Sequence, residues 1–570
     1  MPRNLLRSVL ILSATTALSF GQHHLKVDPD LENNSPDTPL NVIVQYNQTP
    51  QPRHIHATVG KGGQHKRTLA LVNGAAFSLP AKALLDLAND PEVQRIVPDH
   101  QVVGTLETVA ASINYDPVDN YLNARNLGKG TGIAIAFIDS GAALNHPDFG
   151  LYQDPASSRI VYNESFVDST PADLYGHGTH VIGIASGMDN VTDGKNSTRS
   201  FWGMAPDATI VNLKVLNAFG IGTDSAVIAA ISRAIQLKST YNIRVINLSL
   251  GRPVVGSYKT DLLCQAVEQA WKAGIVVVVA AGNEGRNNSF SNQGYGTITS
   301  PGNDPYVITV GAVNQKSDWD RSDDVIASYS SKGPTSIDHI VKPDLVAPGN
   351  RVTSYQASAS TLTALYPGSR PLINTYLVGG AATPSPYFFQ LSGTSMAAPA
   401  VSGVAAILIQ KDPTLTPDQV KARLMRTAWR GFPTTMTTYD PTTNQTYSAN
   451  HDIFTIGAGQ VDAWAAFNDT DKPTGSAASP AVTYNAASKT VSLNLNSTGA
   501  SSVIWGTGII WGTGIIWGTN VSGSSVIWGT SIIWGTSTAS AFSIIWGTGI
   551  IWGTATPTGE AAAIAINGEQ

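Results

Sequence analysis

"IRVINLSLGRPVVGSYKTDLLCQAVEQAWKAGIVVVVAAG" runs from Ile243 to Gly282. Both ends are dense in Val and Ile and carry few polar breaks. Runs of that kind suit parallel strands buried on both faces. Between them "DLLCQAVEQAWKAG" reads as a helix, so the stretch is strand, helix, strand. Outward from it the same alternation continues. "GIAIAFIDS", "ATIVNLKVL" and "YVITVGAV" read as further strands, and "SAVIAAISRAIQLKS" as another helix. From about residue 113 to 470 the pattern predicts an α/β domain, a doubly wound and mainly parallel sheet. In such a sheet functional residues belong at the carboxyl ends of strands and at helix starts.

The flanks differ in character. Residues 1–21 read as a signal peptide: Arg3 and Arg7 form the charged end, Ser8–Phe20 the short apolar stretch, and small residues allow a cut after Ser19 or Gly21. A membrane anchor is the rival reading, but it needs a longer apolar run. Residues 40–103 read as a small α+β unit. "NVIVQY" is a strand, and the segment Asn73–Val103 reads as strand, helix and strand, with Ala81, Leu84, Leu85 and Leu87 as the helix stripe. In residues 471–570 no Asp, Glu, Lys or Arg occurs between Lys489 and Glu560. There Trp-Gly-Thr recurs, beginning at Trp505, Trp511, Trp517, Trp528, Trp534, Trp546 and Trp552. An extended chain puts Trp and Thr of each block on one face, so this tail is β-prone and low in complexity.

Composition narrows the function classes. Of the 570 residues 42% are hydrophobic and 13% charged, with a net charge of −5, and no basic stretch interleaves with aromatics. That excludes a nucleic-acid partner. The single cysteine, Cys264, rules out an intrachain disulfide and reads as a small buried residue on a helix.

Three segments carry chemistry. "IAFIDSG" leaves Asp139 at the carboxyl end of a strand. "YGHGTHVIGIASG" puts His177 between glycines at a helix start. "LSGTSMAAPAVSGVAAIL" puts Ser395 at the start of a long apolar helix. An unassisted serine hydroxyl is a weak nucleophile. A neutral imidazole can take its proton, and a carboxylate can orient that imidazole. Taken singly, each segment has a plainer reading: Asp139 as a turn cap, Ser395 as a packing residue, His177 and His180 as a metal pair. The metal pair lacks the glutamate of an H-E-x-x-H frame. The serine segment is not the G-x-S-x-G elbow, since Ala397 stands at the second glycine.

In this order, "AFIDSG", "GHGTHVIG" and "SGTSMAAP" resemble the three motifs of the subtilisin-like serine proteases. The resemblance spans roughly residues 113–470. It implies a subtilisin-like fold, with Asp139 as orienter, His177 as general base and Ser395 as nucleophile. Through "AAGNEG" it implies Asn283 as the side-chain donor of the oxyanion hole. It implies one substrate rim at Gly220, Ile221 and Gly222 and another at Ser249, Leu250 and Gly251. Glu284 would line the first specificity pocket, with Thr299 near its base. The unit at 40–103 resembles the family's inhibitory propeptide, with a cut between about Val103 and Asn114. Family members often bind structural calcium, although none is required for the chemistry. Asp148 matches a ligand position, and Asp189, Asn190 and Asp193 offer oxygens in a longer loop that departs from the family pattern. Asn350–Gln390 carries an insertion.

The expectation is therefore a secreted serine endopeptidase that acts on proteins or peptides and is made as a self-processed precursor. Its own propeptide is a partner, and the tail self-associates or binds a surface. The alternative is a catalytically idle protein of this fold that binds or adheres through the Trp-Gly-Thr tail.

Overall fold

The structure, a computed structural model, describes residues 26–28, 31, 34–99, 101–104, 113, 128–149, 158–191, 201–288, 292–316, 321–440, 444–485, 490–494, 498 and 569. The expected signal peptide, Asp193 and the Trp-Gly-Thr blocks lie outside the described residues. The chain divides into two units, the first ending at Pro98 and the second running from Asp99 onward with the turn Leu69–Val72.

In the first unit β1 (Pro39–Tyr46), α1 (Pro52–Gly60), β2 (Gln64–Leu69), β3 (Gly74–Pro80), α2 (Ala83–Ala88) and β4 (Val93–Pro98) follow in turn. The sheet order is β2-β3-β1-β4, with β1 antiparallel to both neighbours. Val42, Val44, Phe77, Leu79, Leu84, Leu87 and Ile96 form its core. Two details correct the sequence reading. The helix starts at Ala83, so Ala81 precedes it, and Leu85 of the expected stripe is 58% exposed while Ala83 and Ala88 are buried. Helix α1 was not expected. It lacks an apolar stripe and rests on local capping, with Pro52 at its start and the Gln51 N–H donating to His54 Nδ1 at 2.9 Å.

The second unit begins with β5 (Gln101–Gly104). There follow β6 (Ala134–Asp139), β7 (Ile160–Ser165), α3 (His177–Ser186), β8 (Thr209–Lys214), β9 (Ile221–Thr223) and α4 (Asp224–Tyr241). Next come β10 (Ile243–Leu248), β11 (Leu250–Gly251), α5 (Leu262–Lys272), β12 (Val276–Ala280), β13 (Ile308–Asn314), β14 (Val325–Ile326) and β15 (Leu345–Pro348). The main sheet runs β14-β13-β12-β10-β6-β8-β7, with β15 also on β13. Its pairings are parallel except β13 with β14. Every residue of β6, β12 and β13 is buried, as the unbroken Val and Ile runs require. From β6 the chain builds outward to β8 and β7 on one side and to β10, β12 and β13 on the other. The strand order therefore reverses at β6, and sheets of this kind bind ligands at the carboxyl ends of such a switch point.

Beyond the sheet, β16 (Val352–Tyr355) and β17 (Phe388–Leu391) pair antiparallel around a flap that includes α6 (Thr361–Leu365). This flap spans the stretch Asn350–Gln390, where an insertion was expected. Helix α7 (Thr394–Lys411) then passes through the centre and packs on β10, β12, β13, β15 and α3. Its residues Thr394 through Ile409 are all buried. Cys264 is buried on α5, as expected. No helix among the described residues is long and apolar enough to cross a membrane.

Candidate active site

Asp139 is the last residue of β6, and His177 the first of α3. The buried imidazole donates from Nδ1 to Asp139 Oδ1 at 2.7 Å. The same carboxylate oxygen accepts the Ser140 N–H at 2.7 Å, which holds it in place. Ser140 Oγ in turn accepts the Gly178 N–H at 2.8 Å and donates to Asp173 Oδ1 at 2.8 Å. Asp173, buried, also accepts from the backbone of Gly176 and Thr179 and from the Thr179 hydroxyl. It thus gathers the donors left over at the start of α3. The approach of α3 to β6 is very close: a Cβ on Gly178 would stand 2.2 Å from the Gly141 carbonyl oxygen.

Ser395 is the second residue of α7, in the first turn, where a helix offers its N–H groups no acceptor of its own. Its Oγ donates to the Ser249 carbonyl at 3.2 Å, and Ser249 Oγ donates to the Ser395 carbonyl at 2.6 Å. Ser249 follows β10, the neighbour of β6 in the sheet, and α3 packs on α7. Asp139 and His177 are thus in direct contact, and Ser395 stands at the start of the helix that packs against α3.

Asn283 lies in the turn after β12. Its Oδ1 accepts the Thr394 N–H at 3.1 Å and the Thr394 hydroxyl at 2.9 Å. A backbone N–H can only donate, so the amide oxygen must face Thr394, and Nδ2 is turned away from it. Thr394 Oγ1 also accepts the Gly282 N–H at 3.1 Å, which closes the link between the two segments.

Both predicted rims are strands. Ile221 and Gly222 belong to β9, preceded by Gly220, and Leu250 and Gly251 form β11, preceded by Ser249. Strand β5 lies between them as the middle of a three-stranded antiparallel sheet, β11-β5-β9. Its register sets Val102 opposite Gly222, Val103 opposite Ile221 and Gly251, and Gly104 opposite Leu250. Glu284 is exposed beside Asn283, and Thr299 Oγ1 stands where a Gly251 side chain would go.

His180 is not a ligand in waiting. Its Nε2 donates to the Phe389 carbonyl at 3.1 Å, and burial, with His177 close by, pushes its pKa down to about 3. Asp148 and Asp189 are both buried. Burial and then the Asp189 charge push the Asp148 carboxyl up to about 7. Asn190 is exposed, and its amide donates to the Pro147 carbonyl at 3.0 Å. Among the described residues no group of three or more His, Cys, Asp or Glu gathers closely enough to hold a metal ion.

Sequence reasoning missed several supports. Asp173 stands four residues before His177, and an aspartate just ahead of a helix start is a readable cap signal. Thr394 sat unremarked inside the quoted serine segment. Beneath the rims, Arg252 joins Asp224 at 3.0 Å and Asp261 at 2.9 Å, all buried. Burial works against its charge, but the two carboxylates outweigh it and hold the guanidinium protonated. Nothing local in the sequence marks that trio. The flap reaches the site as well. The Thr361 hydroxyl donates to the Ala218 carbonyl at 2.6 Å, and the Leu362 N–H to the Tyr175 carbonyl at 3.1 Å.

Comparison with known proteins agrees with this geometry. Residues 130–459 match the model of the subtilase family. Serine protease AprX of Bacillus subtilis is 34% identical over 361 residues, 62% of this chain and 73% of that protein. Subtilisin DY of Bacillus licheniformis is 36% identical over 302 residues, 53% of this chain and 85% of that protein. Among solved structures, fervidolysin of Fervidobacterium pennivorans, a keratinolytic enzyme related to subtilisin, shares the fold with a TM-score of 0.53. The match covers 78% of this chain and 63% of that one, at 22% identity.

Proposed function

The chain belongs to the subtilase family and is a subtilisin-like serine endopeptidase, and we propose that Asp139, His177 and Ser395 are its catalytic triad. Ser395 Oγ attacks the scissile carbonyl while His177 Nε2 takes its proton. Asp139 holds Nδ1–H and stabilises the imidazolium. The tetrahedral oxyanion is met by Asn283 Nδ2 and the Ser395 N–H. His177 then passes the proton to the leaving amine. The acyl-enzyme on Ser395 is hydrolysed by a water that His177 activates in turn.

The observation that carries this reading is β5. An extended piece of peptide occupies the space between the two expected rims, held by main-chain pairing that does not depend on sequence. Substrates would bind in the same way, with Gly220–Gly222 and Ser249–Gly251 as the rims and Glu284 and Thr299 at the first pocket. Residues 40–103 are then an inhibitory propeptide, and β5 is its end left in the cleft. The register leads toward the cut. Gly104 pairs with Leu250, the neighbour of Ser249, whose carbonyl accepts from Ser395 Oγ. The bond cut therefore follows Gly104 closely, inside the expected window from Val103 to Asn114. Export follows from the pattern of residues 1–21, and the tail, uncharged between Lys489 and Glu560, self-associates or binds a surface.

Asp148 and Asp189 suit calcium as two of its oxygen ligands. Both are hard donors, both are buried, and Asp148 Oδ2 has no hydrogen-bond partner among the described residues. The ion would neutralise the facing carboxylates and stabilise the fold, with no part in the chemistry.

The test is to express residues 23–570, wild type and Ser395→Ala, and to weigh both intact. Wild type should lose a segment ending just after Gly104, while Ser395→Ala stays whole. If both stay whole though folded, self-processing is wrong. A wild-type cut elsewhere removes the register argument and leaves the triad standing.

A further inference from the structure

The Trp-Gly-Thr region is unexplained by peptide hydrolysis, and its far side offers one described residue, Glu569. That residue is buried, at 1% exposure. Its Oε1 accepts from Arg286 Nη2 at 2.9 Å, from the Ser328 N–H at 2.9 Å and from the Ser328 hydroxyl. Its backbone is gripped too. The Glu569 N–H donates to Asn350 Oδ1 at 2.8 Å, and Asn350 Nδ2 donates to the Glu569 carbonyl at 2.9 Å. An amide side chain that pairs with both backbone groups of one residue selects a peptide, and an arginine beside it selects a carboxylate.

The receiving groups are themselves prepared. The Arg286 side chain is 5% exposed, donates to Asp440 at 2.6 Å and to Ser328 Oγ at 2.6 Å, and stacks on Tyr447 with 4.1 Å to the ring centroid. Asn350 is 2% exposed and also donates to Asn314 at 2.9 Å. Before the repeats, Thr498 is tied by its hydroxyl to the Ser479 carbonyl at 3.1 Å. All seven Trp-Gly-Thr copies lie between Thr498 and Glu569.

We propose that the buried Arg286–Ser328–Asn350 pocket is a docking site for the chain's own Glu569, so that the Trp-Gly-Thr region is a loop pinned at both ends to the protease domain. The pocket also ties the tail to the oxyanion segment. Arg286 lies three residues after Asn283, and Asn350 directly follows Gly349, whose carbonyl accepts the Gly393 N–H just ahead of Thr394 and Ser395. Docked Glu569 therefore braces the two segments that frame the nucleophile. A tail that self-associates does so as a tethered loop.

The test is a double-mutant cycle on the full chain in a Ser395→Ala background, which prevents self-digestion. Glu569→Ala, Ser328→Ala and the double variant are compared by thermal unfolding. Each single change should lower Tm by about 2 °C or more, and the double variant should fall no further than the worse single one. A Glu569→Ala variant that melts with the parent overturns the proposal. So do single effects that simply add, since residues that do not touch behave independently. Glu569→Gln separates the parts: it keeps the backbone grip and loses the charge, so its Tm should lie between those of the parent and Glu569→Ala. A Glu569→Gln Tm equal to the parent's removes the arginine from the account.

Discussion

Thr394 holds the oxygen end of the Asn283 amide with both its N–H, at 3.1 Å, and its hydroxyl, at 2.9 Å. The residue beside Ser395, the proposed nucleophile, thereby sets which end of that amide faces the cleft. Asn283→Ala should lower kcat by about 10²–10³-fold, the usual effect of losing one oxyanion donor. Thr394→Val keeps the N–H and removes the hydroxyl, which also leaves the Gly282 N–H without its acceptor. Its kcat should fall by about tenfold with KM little changed, since only the transition state uses the donor. Steady-state kinetics on a chromogenic peptide decide it, and a Thr394→Val enzyme with parental kcat would show that the hydroxyl positions nothing.

Gly178 marks a very tight approach beside His177. Any side chain there meets the Gly141 carbonyl oxygen at 2.2 Å, and that oxygen belongs to the backbone just after Asp139. Gly178→Ala should destabilise the fold by about 2 kcal/mol or more and separate the Asp139–His177 pair. Asp173→Asn is gentler. It keeps the shape but replaces one accepting oxygen with a donor that faces the Thr179 or Gly176 N–H. Activity should drop more than stability. Urea midpoints and kcat, read on the same preparations, separate the two effects.

Three histidines predict acid sensitivity, His146 and His180 buried and His451 half-buried. Burial pushes His180 down to about 3 and both His146 and His451 down to about 4, from an ordinary 6.5. A base with a depressed folded pKa binds its proton more readily in the unfolded chain. Stability is therefore full above about pH 6.5 and falls as the pH drops toward 4 and then 3. At pH 5 each histidine should cost on the order of 1–2 kcal/mol. Urea unfolding of the Ser395→Ala chain at pH 7 and pH 5 should show the loss. His451→Gln should flatten part of it, and an unchanged pH slope in that variant argues that another group carries the effect.

If calcium sits on Asp148 and Asp189, chelation should lower the Tm of the parent by several degrees. Asp148→Asn should melt at one temperature with or without chelator. Equal Tm values for the parent in both conditions would remove the ion from this loop.

Much of this molecule is legible in its sequence, for a physical reason. Strands such as Val276–Ala280 are buried on both faces, so almost every position must be apolar, and that pattern is local. The segments of the proposed triad stand out because glycines must flank side chains at such close quarters. What stayed hidden depends on closure through space. Arg252 lies 28 residues from its partner Asp224, and Asn283 lies 111 residues from Thr394. Helix α1 stayed hidden for the opposite reason: it is held by a proline and a cap, with no periodic stripe to read. The exposed Leu85 shows that a leucine on a short helix does not by itself say which way the helix faces.

The burial of α7 bears on how the enzyme fails. Thr394 through Ile409 have no exposed position, and the helix touches most strands of the sheet. Its amides should exchange with solvent only through global opening, whereas the short rim strands β9 and β11, the outer strands of their three-stranded sheet, should open at lower cost. Ser395 thus rides on the slowest-exchanging part of the chain. Heat should blunt substrate capture well before it displaces the nucleophile, and mild, reversible warming should raise KM while kcat still climbs.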